Sequence, residues 1–135
     1  IYDTKRSDNE EKSAEFAAEA LANLGAPEQT ITTTREMILA TQHHRADDAS
    51  WDMKAFLDLD TSILGAPGDV YNEYSNAIRK EYSWVPDFLY KKGRMKVLND
   101  FLDRGRIYNT EEIGTKYETQ ARHNIAEEIR TLSDD

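Results

Sequence analysis

Apolar residues recur along this chain at intervals of three and four, which is the period of an amphipathic helix. The first such run follows Ser7, which stands three residues before Glu10 in the spacing of a capping box. The run continues to Leu24, and Gly25 and then Pro27 end it in the way that helices commonly stop. The opening pattern therefore predicts a helix that starts at a Ser7 cap and ends before Gly25.

The rest of the chain repeats this arrangement. A polar connector is expected over residues 28–34, and a polar loop over residues 45–50, with Asp47 and Asp48 in solvent. Further helices are predicted over residues 35–44, 52–64, 70–82 and 86–104, and a last one begins at an Asn109 or Thr110 cap with Ala121, Ile125, Ile129 and Leu132 as its inner stripe. No segment alternates with the period of a strand. The pattern predicts an all-α, single-domain helical bundle of five to six helices over residues 1–135.

Composition narrows the class of protein. The chain has 135 residues, 39% of them hydrophobic and 32% charged, which suits one compact soluble domain. No segment approaches the ~18 apolar residues of a membrane span. The absence of cysteine excludes a disulfide scaffold and cysteine-bound zinc, and favours a cytoplasmic protein. A net charge of −9 argues against a nucleic acid polymer as partner, but a small anionic substrate needs only a local basic cluster.

Histidine and aspartate cluster in the middle of the sequence. His43 and His44 close the second predicted helix, and Asp58 and Asp60 interrupt an apolar run in the third. Divalent metals bind imidazole and carboxylate together. However, Asp58 and Asp60 lie about 200° apart around a helix, so only one can face a shared site. Adjacent histidines also diverge by about 100°. The residues alone leave two alternatives: part of a metal site, or surface groups.

Several motifs in this chain resemble those of a known family. They span residues 2–13, 38–44, 56–65, 78–82 and 106–110, and include Ser-Asp-Asn-Glu-Glu, Leu-Ala-Thr-Gln-His-His and Asp-Leu-Asp-Thr-Ser-Ile-Leu-Gly. In order and content they are similar to a bacterial branch of the HD-domain superfamily, the predicted metal-dependent phosphohydrolases. The resemblance covers nearly the whole chain.

The resemblance implies an all-α fold of the HD-domain type and a divalent metal: Mn, Mg, Co, Ni or Fe. The family holds it with an upstream His, a His-Asp doublet and a later Asp. Asp60 matches the later Asp, with Asp58 as the fallback, and His43 and His44 match a second histidine motif that lines the cavity or binds a second metal. Because the family's doublet directly precedes the segment matching Tyr2, we expect this chain to be N-terminally truncated.

The same resemblance implies hydrolysis of a nucleotide or another small phosphate ester by a metal-activated water. Asp60 and Glu10 are then the catalytic candidates, and the basic residues expected to bind the substrate's charge are Lys5, Arg6, Arg79 and Lys80. The alternative is a non-catalytic helical ligand-binding or interaction domain with a degenerate metal site. Most other basic side chains are expected to solvate helix surfaces. The tyrosines of the fourth helix offer a homodimer face, although a core role is the favoured alternative.

Overall fold

The computed structural model describes residues 2–45 and 49–134. Every element of regular secondary structure in these residues is a helix. Its elements are α1 (Asn9–Asn23), α2 (Glu28–Ala40), α3 (Trp51–Asp60), a 3-10 turn (Ser62–Gly65), α4 (Gly68–Glu81), α5 (Asp87–Leu102) and α6 (Glu111–Asp134). No strand occurs in the described residues. The all-α prediction and the expected helix count are confirmed. Asp47 and Asp48, expected in solvent, lie outside the described residues.

The start of α1 corrects the expected capping box. The residue that precedes the helix is Asp8 rather than Ser7, and it makes no side-chain capping bond. Instead Asn9, which is buried, joins its side-chain oxygen to the N–H of Asp3 at 2.9 Å and its amide nitrogen to the carbonyl of Asp3 at 3.0 Å. The first turn is therefore anchored by an amide that folds the preceding loop back onto it.

The second helix also departs from the prediction. Residues 28–34 are the first turns of α2 and not a connector. Pro27 starts the helix, since its carbonyl accepts the N–H groups of Thr30 at 2.9 Å and Ile31 at 3.2 Å. The helix ends at Ala40, so both histidines follow it in a turn. Threonine's weak helix preference was overridden by a favourable start and by packing against α1.

The third predicted helix is shorter than expected. The helix α3 ends at Asp60, and the chain then tightens into the 3-10 turn instead of continuing to Leu64. Ser50 caps its start, because the Ser50 hydroxyl accepts the N–H of Met53 at 3.3 Å.

Contacts divide the chain into two compact units, residues 1–60 and residues 61–135. In the first, α1 and α2 pack as a hairpin and α3 contacts α2. Gly25 adopts φ = 73° at the end of α1, where its N–H bonds to the carbonyl of Ala22. That left-handed geometry explains why glycine stops this helix. The expectation of one domain over the whole chain stays a prediction.

The second unit has a well-defined core. The buried cluster consists of Leu64, Tyr71, Leu98, Ile107, Tyr108, Ala121 and Ile125. Ile129 and Leu132 pack against it, so the predicted inner stripe of α6 is confirmed. Tyr71 is 2% exposed, which bears out its core role. No helix in the described part of the chain is both long and apolar enough to cross a membrane.

Candidate functional site

The fold brings one histidine and one aspartate of the predicted cluster into direct contact. Nε2 of His44 lies 2.7 Å from Oδ2 of Asp60, although the residues are 16 positions apart in the sequence. The His44 side chain is 23% exposed and that of Asp60 is 49% exposed. The pair is therefore a polar contact that solvent and ions can reach.

A turn after α2 sets the position of His44. The N–H groups of His43 and His44 both donate to the carbonyl of Ala40, at 3.2 and 3.0 Å. His44 adopts φ = 51°, in the left-handed region that costs a non-glycine residue about 1–2 kcal/mol. Residues held in such conformations cluster at functional sites. Here the strained residue is also the one whose imidazole meets Asp60.

Asp60 occupies the last position of α3. The carboxyl end of a helix carries partial negative charge, so an anionic side chain there is disfavoured by about 0.3–1 kcal/mol. A cation beside Asp60 relieves this repulsion. Asp58, two positions earlier, is 0% exposed, which confirms that the two aspartates face different environments. Asp60, the preferred ligand, contacts a histidine.

The donor types of this pair fit a divalent metal, but the donor number does not complete a site. A separation of 2.7 Å is that of a direct hydrogen bond, and the two donor atoms would have to move apart to about 3 Å or more to share an ion with bonds of about 2.0–2.2 Å. However, residues 2–45 and 49–134 contain no group of three or more His, Asp or Glu arranged to hold a metal, so His43, Asp58 and Glu10 supply no third ligand there. The described residues thus offer two potential ligands side by side.

The predicted basic residues of the first unit lie near the start of α1. Arg6 forms a two-pronged ion pair with Asp8, at 2.7 and 2.6 Å. The hydrogen bond and charge of Asp8 raise the pKa of Arg6, and the hydrogen bond from Arg6 lowers the pKa of Asp8. The Lys5 N–H donates to the Asp3 carboxylate at 2.9 Å. Glu10 lies in the first turn of α1 and is half-buried.

The other two predicted substrate-binding residues belong to the second unit, on α4. Arg79 donates to the carbonyl of Tyr82 at 2.9 Å and to the Asp87 carboxylate at 3.1 Å, and its guanidinium lies 4.6 Å from the Tyr90 ring centre. It therefore ties the end of α4 to the start of α5. Lys80 is exposed.

A cavity of about 450 Å³ opens between α1 and α2, away from the histidine–aspartate pair. Its lining mixes apolar and charged side chains: Glu15, Ala18, Glu28, Ile31, Thr32, Arg35, Glu36 and Leu39. Neither His44 nor Asp60 is among them, so this cavity is not the predicted site.

Sequence reasoning missed a buried ionic group in the second unit. Arg94 binds Glu128 through two hydrogen bonds of 2.8 and 3.0 Å, and the Tyr71 hydroxyl donates to the same carboxylate at 2.5 Å. The side chains of Arg94 and Glu128 are 9% and 8% exposed. Arg94 is one of the basic side chains that were expected to solvate helix surfaces. Its position one helical turn from buried Tyr90 and Leu98 was the signal that could have identified it.

Comparisons of this chain with known protein families, with curated proteins and with solved structures gave no match.

Proposed function

We propose that this chain belongs to a metal-dependent phosphohydrolase that acts on a nucleotide or another small phosphate ester, and that His44 and Asp60 are two ligands of one divalent ion. The direct contact between these side chains carries the proposal, because it joins two motifs that are separate in the sequence. The strained backbone of His44 and the placement of Asp60 at a helix end are further support.

The pair has a definite protonation requirement. A carboxylate and an imidazole that bind a metal must both be deprotonated at their donor atoms. When bound, a divalent ion supplies a water of pKa near ~7 and stabilises negative charge on a phosphoryl oxygen. The protein's part is to hold the two donor atoms a short distance apart before the ion arrives.

The test is hydrolysis by the full-length gene product, assayed over nucleotides and small phosphate esters with Mn²⁺, Mg²⁺, Co²⁺ or Ni²⁺. Replacing a residue that only supports a metal ligand lowers metal affinity or activity by about 10–100-fold. Removing a proposed ligand should cost more, so Asp60→Ala should lower kcat/KM by at least about 100-fold. His44→Asn should lower it by about 10-fold or more, while the asparagine still accepts the left-handed backbone. Isothermal titration should show weaker metal binding in both variants.

Matched controls come from the same chain. Asp69→Ala removes an exposed carboxylate from a helix end, and His123→Asn removes an exposed imidazole. Both should leave metal binding and turnover unchanged. A folded full-length protein that turns over none of these substrates with any of these ions would contradict the phosphohydrolase proposal.

A second function is favoured by one observation, namely that the described residues hold no group of three potential ligands. A helical domain that binds an anion or an ion without hydrolysing anything would need no complete site. Metal binding that depends on His44 and Asp60 but is accompanied by no turnover would select this alternative.

A further inference from the structure

One face of α5 carries apolar side chains that are exposed to solvent. Leu89 and Val97 are 48% and 47% exposed and lie about 80° apart around the helix, whereas Phe88, which is 70% exposed, lies on the side opposite Val97. Leu89 and Val97 lie among Lys92 and Lys96, which are also exposed. Apolar residues gathered on a surface and bordered by charges mark contact sites for other molecules.

A glycine lies within the same face. Gly93 stands in the interior of α5, where glycine costs about 1 kcal/mol relative to alanine. A Cβ atom built on Gly93 would meet no atom within 4 Å, so packing inside this chain does not require the glycine. A second helix approaching closely does benefit from a missing side chain. Gly93 thus points to a helix as the occupant.

The charges on this face identify which helix. Lys92 and Lys96 are followed by Asp100 and Asp103, and at about 100° per residue all four lie within an arc of about 80°. All four are exposed. None of them forms an ion pair with the described residues, in contrast to Lys91, which pairs with Asp87 at 3.8 Å. The face is basic in its first half and acidic in its second.

When two copies of this face pair antiparallel, the basic half of each helix lies opposite the acidic half of the other. Lys96 and Asp100 lie two positions before and after Leu98, and Lys92 and Asp103 lie six before and five after it. One antiparallel register centred at the level of Leu98 therefore sets both lysines of one helix opposite both aspartates of another. We propose that α5 is the contact surface for a second copy of this chain, paired antiparallel about a two-fold axis. In such a pairing the same patch serves both copies.

The size of the face sets the strength of the dimer. Specific stable interfaces bury about 800 Å² on each partner, and one helix face gives less than that, so the equilibrium should be followed from about 1 to 500 μM protein. Sedimentation equilibrium of the full chain should show a reversible monomer–dimer equilibrium in that range. A chain that stays monomeric up to the highest concentration would overturn the proposal.

Charge reversal gives the sharpest test. Lys92→Glu with Lys96→Glu makes the whole face acidic, and Asp100→Lys with Asp103→Lys makes it wholly basic. Each double variant alone should lose at least about 10-fold in dimer affinity, because like charges then oppose each other at both ends. An equimolar mixture of the two should form a heterodimer about as tight as the wild-type dimer. The quadruple variant should dimerise with itself.

Two control variants separate the contribution of the α5 face from that of net charge and of helix stability. Lys80→Glu with Lys116→Glu changes the net charge equally at exposed positions outside the face and should weaken the dimer less than the α5 variant. Gly93→Gln should keep or raise thermal stability in dilute solution, yet weaken the dimer about 10-fold.

If the oppositely charged variants fail to associate when mixed, the two-fold pairing is wrong. Loss of binding to anionic vesicles in the acidic variant, without any dimer in the wild type, would assign the face to a membrane surface instead.

Discussion

Gly65 shows how a single residue sets the approach of two elements. A Cβ atom there would lie 2.6 Å from Cβ of Tyr117 and 2.8 Å from the Tyr117 carbonyl oxygen. Asn124, on the same helix as Tyr117, donates to the carbonyls of Leu64 and Ala66 at 2.9 and 2.8 Å. The 3-10 turn therefore rests directly on α6, and only a residue without a side chain fits at its closest point.

Gly65→Ala should destabilise the protein by about 1–3 kcal/mol, the usual cost of forcing extra volume into a packed contact. The closest atoms belong to the backbone and to Cβ, which cannot move aside by a change of rotamer. Urea denaturation followed by circular dichroism measures the loss. Gly68→Ala is the matched control, since a Cβ there meets no atom within 4 Å. An equal effect of the two substitutions would show that the close approach to Tyr117 is not the cause.

Glu118 and Arg122 connect α6 to the end of α5 at the scale of whole elements. The Arg122 guanidinium donates to the carbonyls of Leu102, Arg104 and Gly105 at 3.1, 2.8 and 3.2 Å. These carbonyls close the last turn of α5 and the segment after it, where helices leave acceptors without intrahelical partners. Glu118 accepts the N–H of Ile107 at 2.9 Å and pairs with Arg122. The connector of residues 103–108 is thus held by side chains from α6.

Arg122→Met should cost about 1–3 kcal/mol, because it leaves partly buried carbonyls and the Glu118 carboxylate without their donor. Arg122→Lys should restore only part of this loss, since an ammonium group cannot reproduce the planar fork. Chemical denaturation gives both values. Arg130→Met provides the control on the same helix: its exposed pair with Glu127 should be worth less than about 1 kcal/mol. A similar loss in both arginine variants would show that surface charge, and not the connector, is responsible.

Tyr71, Arg94 and Glu128 form a buried polar group inside the second unit. Burial raises the pKa of Glu128, but hydrogen bonds from Arg94 and Tyr71 outweigh it and hold the pKa below its usual 4.5. Burial and the bond to Glu128 raise the pKa of Tyr71 well above its usual 10. Because the pKa of Glu128 is lowered in the folded state, its carboxylate stabilises the fold above pH 4.5, and this stabilisation is lost as the pH falls. Because the pKa of Tyr71 is raised in the folded state, its hydroxyl stabilises the fold below pH 10, and this stabilisation is lost as the pH rises.

Glu128→Gln should lower the free energy of unfolding at pH 7 by about 3–5 kcal/mol, because Arg94 is left buried without its counter-charge. The deficit should shrink as the pH falls below 4.5, because the carboxylate of Glu128 then binds a proton in the unfolded wild-type chain more readily than in the folded one. Urea denaturation at a series of pH values between 3 and 7 measures both effects.

The double variant Arg94→Met with Glu128→Leu separates the pair from its packing. Replacing a buried ion pair by apolar residues of similar volume is often neutral, so this variant should be much more stable than Glu128→Gln and should show less loss in acid. If the double variant is the less stable of the two, the ion pair contributes net stability beyond the avoided cost of an isolated charge.

The sequence by itself determined the helical class, most helix positions and the inner stripe of α6. These features depend on local periodicity and on residues that end helices, such as Gly25 and Pro27, whose effects reach only a few residues. Local preference misplaced the start of α2, because a run of threonines is a weak signal that packing overrides. It also placed the α1 cap one residue early, at Ser7 instead of Asp8.

Tertiary structure alone decided that Asp60 contacts His44 and which charges are buried. Periodicity showed that Asp58 and Asp60 point in different directions, but the rotation of α3 relative to the turn after α2 joins Asp60 to His44. In the same way, Arg94 became a core residue only because Glu128, 34 positions away, faces it. Contacts between distant residues depend on how helices pack, and that information is spread over the whole chain.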